Sequence, residues 1–329
     1  MTALPVAVIG GGIMGRGIAA SLALAGHPVA IVEPHSPDGV LDRVTQSIRG
    51  AADPAVADAA IARVRLADLP DAVGKAALVI EAVPEDLAVK EPVWRELGRH
   101  AAEGAILATN TSAFDIDAIA AWVDDPSVVL GTHWFNPAEV IPCVEVVVGA
   151  ATDTGVVQRV VHLLEAAGKE PSVVRNSPGF VANRIQFALV REALLCLEEG
   201  LASADDIDRI VRGSFGVRLA ALGPLANADL GGLDTYRSIL RFLSSELGDR
   251  FTPPRLLDEL VDAGWFGVKT GAGIGHYPGD EGAQLANARD QRLRRLIAAR
   301  DDQQRRDPAV HSEQLRRKAA AQDEQGAGR

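Results

Sequence analysis

The chain has 329 residues, 47% hydrophobic and 23% charged, with a formal charge of −11 at pH 7. That is length enough for two domains, and a charge that argues against binding nucleic acid or an anionic membrane. Only two cysteines occur, Cys143 and Cys196, far apart and outside any metal-ligand spacing, so free thiols in a reducing cytoplasm are expected and a metal site is not.

The opening residues carry no basic segment followed by an apolar stretch, and no apolar run is long enough to span a bilayer. A cytoplasmic protein with no membrane partner is therefore expected. Val6-Ala7-Val8-Ile9 reads as a short buried strand. It runs into Gly10-Gly11-Gly12-Ile13-Met14-Gly15, where Gly10, Gly12 and Gly15 fit G-x-G-x-x-G. Glycines at these places allow a tight turn, close backbone approach to a pyrophosphate and close helix–strand packing. The small-residue helix that follows points its free amides at the phosphates, with Ile13 and Met14 in its first turn. The triplet alone is a weak signal; strand before and helix after give it weight.

A second strand, Val29 to Val32, ends in Glu33, 18 residues beyond Gly15 and about where a carboxylate meets the adenosine ribose hydroxyls. No arginine follows at once, so NAD is favoured over NADP, although a solvated strand-end glutamate reads the same way. From Gly39 to Ala62 an alanine-rich pattern broken by Asp53-Pro54 reads as a helical hairpin, with Leu78-Val79-Ile80 as the next strand. Ala82 and Val83 follow that strand, and a helix then carries Glu85 and Lys90. Ala105 to Ala108 is another strand, ending in Thr109-Asn110-Thr111-Ser112. Residues just past the carboxyl ends of parallel strands sit where doubly wound sheets bind ligands, which adds Ala82, Val83 and Asn110 to the expected cofactor contacts. Ser112 also fits a helix N-cap or a turn hydroxyl.

Two β-branched runs come next, one ending at His133 and one, Val144 to Val148, carrying Glu145 near its start. A turn containing Asn136-Pro137 joins them. This arrangement can set the Glu145 carboxylate against one imidazole nitrogen of His133, leaving the other to exchange a proton with a substrate. A satisfied core histidine beside a strand-end glutamate is the equally open alternative. A helix from Asp153 to about Ala167 and a strand at Val173-Val174 lead to Asn176-Ser177-Pro178-Gly179, a loop with turn chemistry.

Beyond that loop the strand signals stop. Phe180 to Glu199 reads as a long amphipathic helix, and Ala204 to Val211, Leu233 to Leu247 and Pro254 to Ala263 as further helices. The fold class is thus α/β, a Rossmann-type doubly wound sheet followed by an all-α C-terminal domain. The expected domains are 1–176 for NAD binding, 177–282 for substrate and dimerisation, and 283–329 as a charged helix and tail. Arg289 to Arg329 holds eleven basic and seven acidic residues, net +4, and apolar residues almost cease past Arg300. Removing that tail is expected to spare activity.

The stretches VIGGGIMGRGIA, VIEAVPEDLAVK, ATNTS, GTHWFNP, VEVV, SPGFVANR, GPLANADLGGLD and GVKTGAG, in this order and spacing, resemble the L-3-hydroxyacyl-CoA dehydrogenase family. The likeness covers Val6 to about Tyr277. It implies His133 as catalytic base, Glu145 as the acid that orients it, and Ser112 and Asn183 as the groups around the substrate oxygen. It also implies that Glu85 and Lys90 lie by the nicotinamide and its ribose, that NAD takes hydride from C3 of the substrate, and that the protein is a homodimer. Asn183 is not one that the residues alone would single out.

Two features depart from the acyl-CoA enzymes. The segment Glu33 to Ala77 has five basic and seven acidic residues, net −2, where family members carry a longer, lysine-rich hairpin associated with the CoA nucleotide. Val140-Ile141-Pro142 resembles the branch that oxidises short polar hydroxy acids, such as the gulonate and carnitine dehydrogenases. A short-chain CoA thioester is the expected substrate. A carrier-protein thioester and a free short 3-hydroxy acid stay open, the acid with Arg184 or Lys269 as candidate carboxylate anchor.

Overall fold

A computed structural model describes residues 3–306. The chain divides into two compact units, with the division between Glu192 and Ala193. In the first unit the elements run β1 (Val6–Ile9), α1 (Ile13–Leu24), β2 (Val29–Val32), α2 (Val40–Ala51), α3 (Pro54–Ile61), β3 (Val64–Leu66), α4 (Leu69–Val73), β4 (Leu78–Glu81), α5 (Leu87–His100), β5 (Ile106–Thr109), α6 (Ile116–Ala120), β6 (Val129–Trp134), β7 (Cys143–Val148), α7 (Thr154–Ala166), β8 (Glu170–Arg175) and the start of α8 (Ala182–Glu198). The strands form one sheet in the order β3-β2-β1-β4-β5-β6-β7-β8, parallel throughout except for the antiparallel β6–β7 pair.

Why these runs become strands is plain from their burial. Val6 and Val8 face one core cluster and Ala7 and Ile9 the other, because successive side chains point to opposite faces. Both faces of the central strands are covered by helices, so no polar side of the sheet exists and the strands read as unbroken apolar runs. The strand order reverses between β1 and β4. Residues past their carboxyl ends therefore open onto the crevice that doubly wound sheets use for ligands.

The doubly wound sheet and the helical second half are as the sequence implied. One local difference lies between β2 and β4. The expected helical hairpin is present as α2 and α3, but β3 and α4 follow before β4. Val64-Arg65-Leu66 is three residues long and only half-buried, too short and too polar to announce itself, and pairing with β2 makes it a strand. A second difference is the start of α8: Phe180 lies outside the helix, in a left-handed backbone conformation at φ 49°.

The second unit continues with α9 (Ala204–Gly213), α10 (Phe215–Ala221), α11 (Pro224–Gly231), α12 (Leu233–Leu247), α13 (Arg255–Asp262) and α14 (Glu281–Arg306). The expected solvated tail past Arg306 lies outside the described residues. Among the described residues no helix is long and apolar enough to cross a membrane.

The second unit is pinned by Asp229 on α11, 1% exposed. Its carboxylate accepts hydrogen bonds from Ile274 N (2.9 Å), Gly275 N (2.7 Å) and the Tyr277 hydroxyl (2.7 Å). Two stretches far apart in sequence, GPLANADLGGLD and GVKTGAG with its continuation, meet here, and the Lys269–Asp234 ion pair joins them a second time. Burial and the adjacent Asp229 push the Tyr277 hydroxyl up to about 12, so it stays a donor at any ordinary pH. Asp229→Ala takes the buried acceptor from three part-buried donors, and each bond left unmade costs about 1–3 kcal/mol. The unfolding free energy in urea is expected to fall by roughly 3 kcal/mol or more on that basis; a change under about 1 kcal/mol would show that water replaces the carboxylate.

Candidate active site

The crevice begins at the loop between β1 and α1. Gly10 sits at φ 108°, and a Cβ on Gly15 would lie 1.9 Å from the Gly10 carbonyl oxygen, so neither position tolerates a side chain. Above Gly12 there is open space: a Cβ there would meet nothing within 4 Å. No side chain caps α1, which leaves its first amides unpartnered at that opening, a ready anion site. Ile13, 61% exposed, stands at its mouth, and Met14 packs against the core behind it.

Glu33, just past β2, accepts from Gly11 N (2.9 Å) with one oxygen and from His35 N (3.1 Å) and Ser36 N (3.3 Å) with the other. Burial would raise its carboxyl group, but the three backbone donors outweigh that and hold it below the ordinary carboxylate range. The acid is thus braced against the glycine loop as an anion. Open glycine loop, free helix amides and an anionic acceptor beside them fit the pyrophosphate and ribose hydroxyls of a dinucleotide.

Ala82 and Val83 leave β4 opposite this loop, and Ala82 N continues the sheet by donating to the Ile9 carbonyl oxygen (2.8 Å). Asn110, past β5, accepts from Trp134 N (3.0 Å) and ties the ends of β5 and β6 together. Lys90 is 1% exposed and reaches Glu81 Oε1 at 2.8 Å and Glu85 Oε2 at 3.2 Å. Glu85 accepts from the Thr111 hydroxyl (2.6 Å) and Ser112 N (2.8 Å). Burial would raise Glu85, but Thr111 and Lys90 more than offset this and keep it low.

His133 and Glu145 are directly opposite one another in the antiparallel β6–β7 ladder. Opposite residues share a face, so the Glu145 carboxylate meets His133 Nδ1 at 2.8 Å. Both side chains are buried. His133 Nε2 has no hydrogen-bond partner among the described residues. The ring lies against Phe135 and Phe180, at 4.6 and 5.6 Å between centroids.

The other Glu145 oxygen accepts from Val181 N (3.0 Å) and Ala182 N (2.9 Å), the amides that open α8. Gly179 and Phe180 are both left-handed, and this turn aims the two amides at the carboxylate. Phe180 was read from the sequence as the first residue of the helix. A positive φ on an aromatic residue leaves no composition signal, although the Ser177-Pro178-Gly179 turn beside it was legible. Burial pushes the Glu145 carboxyl up, while His133 and the two amides pull it down further, so it stays ionised.

Asn183, in the first turn of α8, donates to the Ser112 carbonyl oxygen (2.9 Å). Asn183 follows directly on the two amides that Glu145 accepts, and Ser112, Asn183, His133 and Glu145 all lie in the first compact unit. Ser112 is exposed and its hydroxyl has no partner among the described residues; the cap of α6 is Asp115 instead. Of the alternatives left open for Ser112, helix capping is therefore ruled out.

Fold and crevice define a class, the NAD-dependent oxidoreductases built on a doubly wound sheet. Residues 5–177 match the family described as 3-hydroxyacyl-CoA dehydrogenase, NAD binding domain, and residues 179–277 match 3-hydroxyacyl-CoA dehydrogenase, C-terminal domain. The chain is 35% identical over 303 residues to 5-formyl-3-hydroxy-2-methylpyridine 4-carboxylate 5-dehydrogenase of Mesorhizobium japonicum, spanning 89% of this chain and 96% of that protein. It is 36% identical over 280 residues to a probable 3-hydroxybutyryl-CoA dehydrogenase of Bacillus subtilis, spanning 83% and 96%. The crystal structure of a 3-hydroxyacyl-CoA dehydrogenase from Archaeoglobus fulgidus matches with a TM-score of 0.75 and 35% identity, over 90% of this chain and 98% of that one. This chain belongs to the 3-hydroxyacyl-CoA dehydrogenase family, and its cofactor is NAD.

Glu145 supplies a pH test. Its folded carboxyl group is lowered relative to the unfolded chain, so its stabilisation is fully present above the ordinary carboxylate range and lost as pH falls through the folded value. Glu145→Gln removes that linkage. Wild type is expected to be the more stable at pH 7, with the difference in thermal unfolding shrinking steadily under acid. A difference that stays constant down to pH 3 would show that the carboxylate charge is not what holds the turn.

Proposed function

We propose that the chain interconverts an L-3-hydroxyacyl thioester, most simply a short-chain CoA ester, and its 3-oxoacyl form. The observation that carries this reading is His133 held by Glu145 through Nδ1 at 2.8 Å with Nε2 free, while Asn183, bonded to the Ser112 carbonyl oxygen, follows directly on the Val181 and Ala182 amides that Glu145 accepts. In the oxidative direction His133 Nε2 takes the proton of the C3 hydroxyl. Glu145, kept ionised, stabilises the imidazolium that results. Ser112 and Asn183 hold the oxygen while its charge changes, a preorganised role that costs no rearrangement at the moment of reaction. NAD, when bound, supplies the hydride acceptor. In reduction His133 returns the proton. The reaction would sit in fatty acid metabolism, and the free thiols Cys143 and Cys196 suit a reducing cytoplasm.

A second reading has its own observation. Arg184, next to Asn183, is exposed and has no ionic partner among the described residues, so it can anchor a free carboxylate. The Mesorhizobium japonicum relative is named for a pyridine carboxylate. One turnover survey with NADH or NAD separates the two: acetoacetyl-CoA against gulonate, carnitine and a pyridine carboxylate. The thioester is expected to turn over, with KM little changed when the CoA nucleotide is trimmed to pantetheine, because the α2–α3 segment is acidic. Turnover of a free acid alone would replace the first reading with the second.

His133→Ala is expected to cut kcat roughly 10²–10⁴-fold while leaving NADH binding intact; near-normal kcat would require another base. NAD should be preferred over NADP, since a 2′-phosphate would meet the Glu33 anion; equal kcat/KM for the two would contradict the placement of Glu33 at the ribose.

We also propose a homodimer through the helical half. Within the second unit, Leu194 on α8 and Ile239 and Phe242 on α12 are all more than half exposed, apolar side chains that a partner copy would cover. Sedimentation at micromolar concentration should report a dimer, and a monomer would contradict this.

A further inference from the structure

Glu81 is the most completely satisfied charged group among the described residues, and nothing in the acid–base chemistry of His133 uses it. It closes β4, is 0% exposed, and both its oxygens are engaged. One oxygen accepts from Lys90 Nζ (2.8 Å) and Val83 N (2.9 Å). The other accepts from Trp94 Nε1 (3.1 Å) and the Thr109 hydroxyl (2.8 Å). A carboxylate in this position is costly unless paired, and here Lys90, itself 1% exposed, supplies the counter-charge.

The two oxygens lead to the same place. From the first, Lys90 passes on to Glu85 at 3.2 Å, and Glu85 accepts from Ser112 N at 2.8 Å. From the second, Thr109 Oγ1 accepts from Thr111 N at 3.1 Å. Of the two consecutive amides of the Thr111–Ser112 turn, that of Thr111 is held by a hydroxyl bonded to Glu81, and that of Ser112 by Glu85, which Lys90 ties to Glu81. Within the turn the Thr111 hydroxyl also donates to Glu85 and accepts from Phe114 N (3.0 Å), while the exposed Ser112 is reached besides by Asn183, through its carbonyl oxygen.

We propose that Glu81 is a positioning residue for Ser112, setting the turn through Lys90 and Glu85 on one side and through Thr109 on the other. Only an acceptor on both ends meets four donors at once. A glutamine would turn an amide N–H₂ toward either Lys90 and Val83 N or Trp94 and Thr109, so one of the two arms must give way. A displacement of the Ser112 hydroxyl by a fraction of an ångström then loses oxygen-holding geometry without touching His133.

The inference rests on Ser112 holding the substrate oxygen, and a double-mutant cycle separates the two claims. Glu81→Gln, Ser112→Ala and the double variant are assayed in the full chain with acetoacetyl-CoA and NADH, alongside NADH affinity by fluorescence titration. Thr109→Val, which removes one hydroxyl and keeps the shape, runs in parallel and carries the test if Glu81→Gln fails to fold. In the wild-type background, at saturating NADH, Glu81→Gln is expected to lower kcat roughly 10- to 100-fold; Thr109→Val, which leaves the Lys90–Glu85 arm in place, is expected to lower it less and to keep NADH affinity unchanged. In the Ser112→Ala background neither change should cost anything further. If Ser112→Ala is impaired but Glu81→Gln or Thr109→Val removes the same factor in both backgrounds, the positioning role is overturned while the reading of Ser112 stands. If Ser112→Ala keeps full kcat, or the wild type does not turn over the probe, the reading of Ser112 fails and the inference falls with it.

Discussion

The carboxylate of Glu145 is the contact on which the site depends. One oxygen fixes His133 at 2.8 Å and the other receives two amides from the start of α8. A group so buried would ordinarily lose its charge. Three donors keep it charged, and that charge selects which imidazole nitrogen is held and which is free. The same anion meets the positive end of α8, so the orientation of the His133 ring and the placement of Asn183 have a common origin.

The sheet supplies the rest. Because β6 and β7 are antiparallel, His133 and Glu145 fall opposite each other, and a slip of one residue would turn one of them to the other face. The reversal of strand order between β1 and β4 opens the crevice where the glycine loop, Glu33 and the residues past β4 converge. The next turn along the same edge carries Ser112. The glycine loop, the Ser112 turn and the His133–Glu145 pair thus lie at strand ends of one sheet, which is why sequence motifs over a hundred residues apart come together along one edge.

Much of this was readable beforehand, for physical reasons. The glycine loop and the strands around it have unbroken apolar character, and Glu33 follows its strand at the spacing a ribose-binding acid needs. His133 and Glu145 lie on two adjacent β-branched runs, so their pairing needed only the right register. What stayed hidden is what sequence periodicity cannot express. Phe180 is apolar and precedes a helix, and only its left-handed backbone shows that it aims the Val181 and Ala182 amides. The resemblance puts Lys90 by the nicotinamide and its ribose, and only packing reveals that it is buried and paired with Glu81. β3 was missed because three half-buried residues give no alternation to detect.

The most direct test of the Glu145 account needs no substrate. Nitrogen-15 NMR of the His133 ring in the neutral state reports which nitrogen carries the proton. A ring held by an ionised Glu145 should be locked with the proton on Nδ1 and Nε2 bare, and Glu145→Gln should release that lock into a mixture of tautomers. A wild-type ring with its proton on Nε2, or a mixture unaffected by the substitution, would contradict the claim that this carboxylate sets the base.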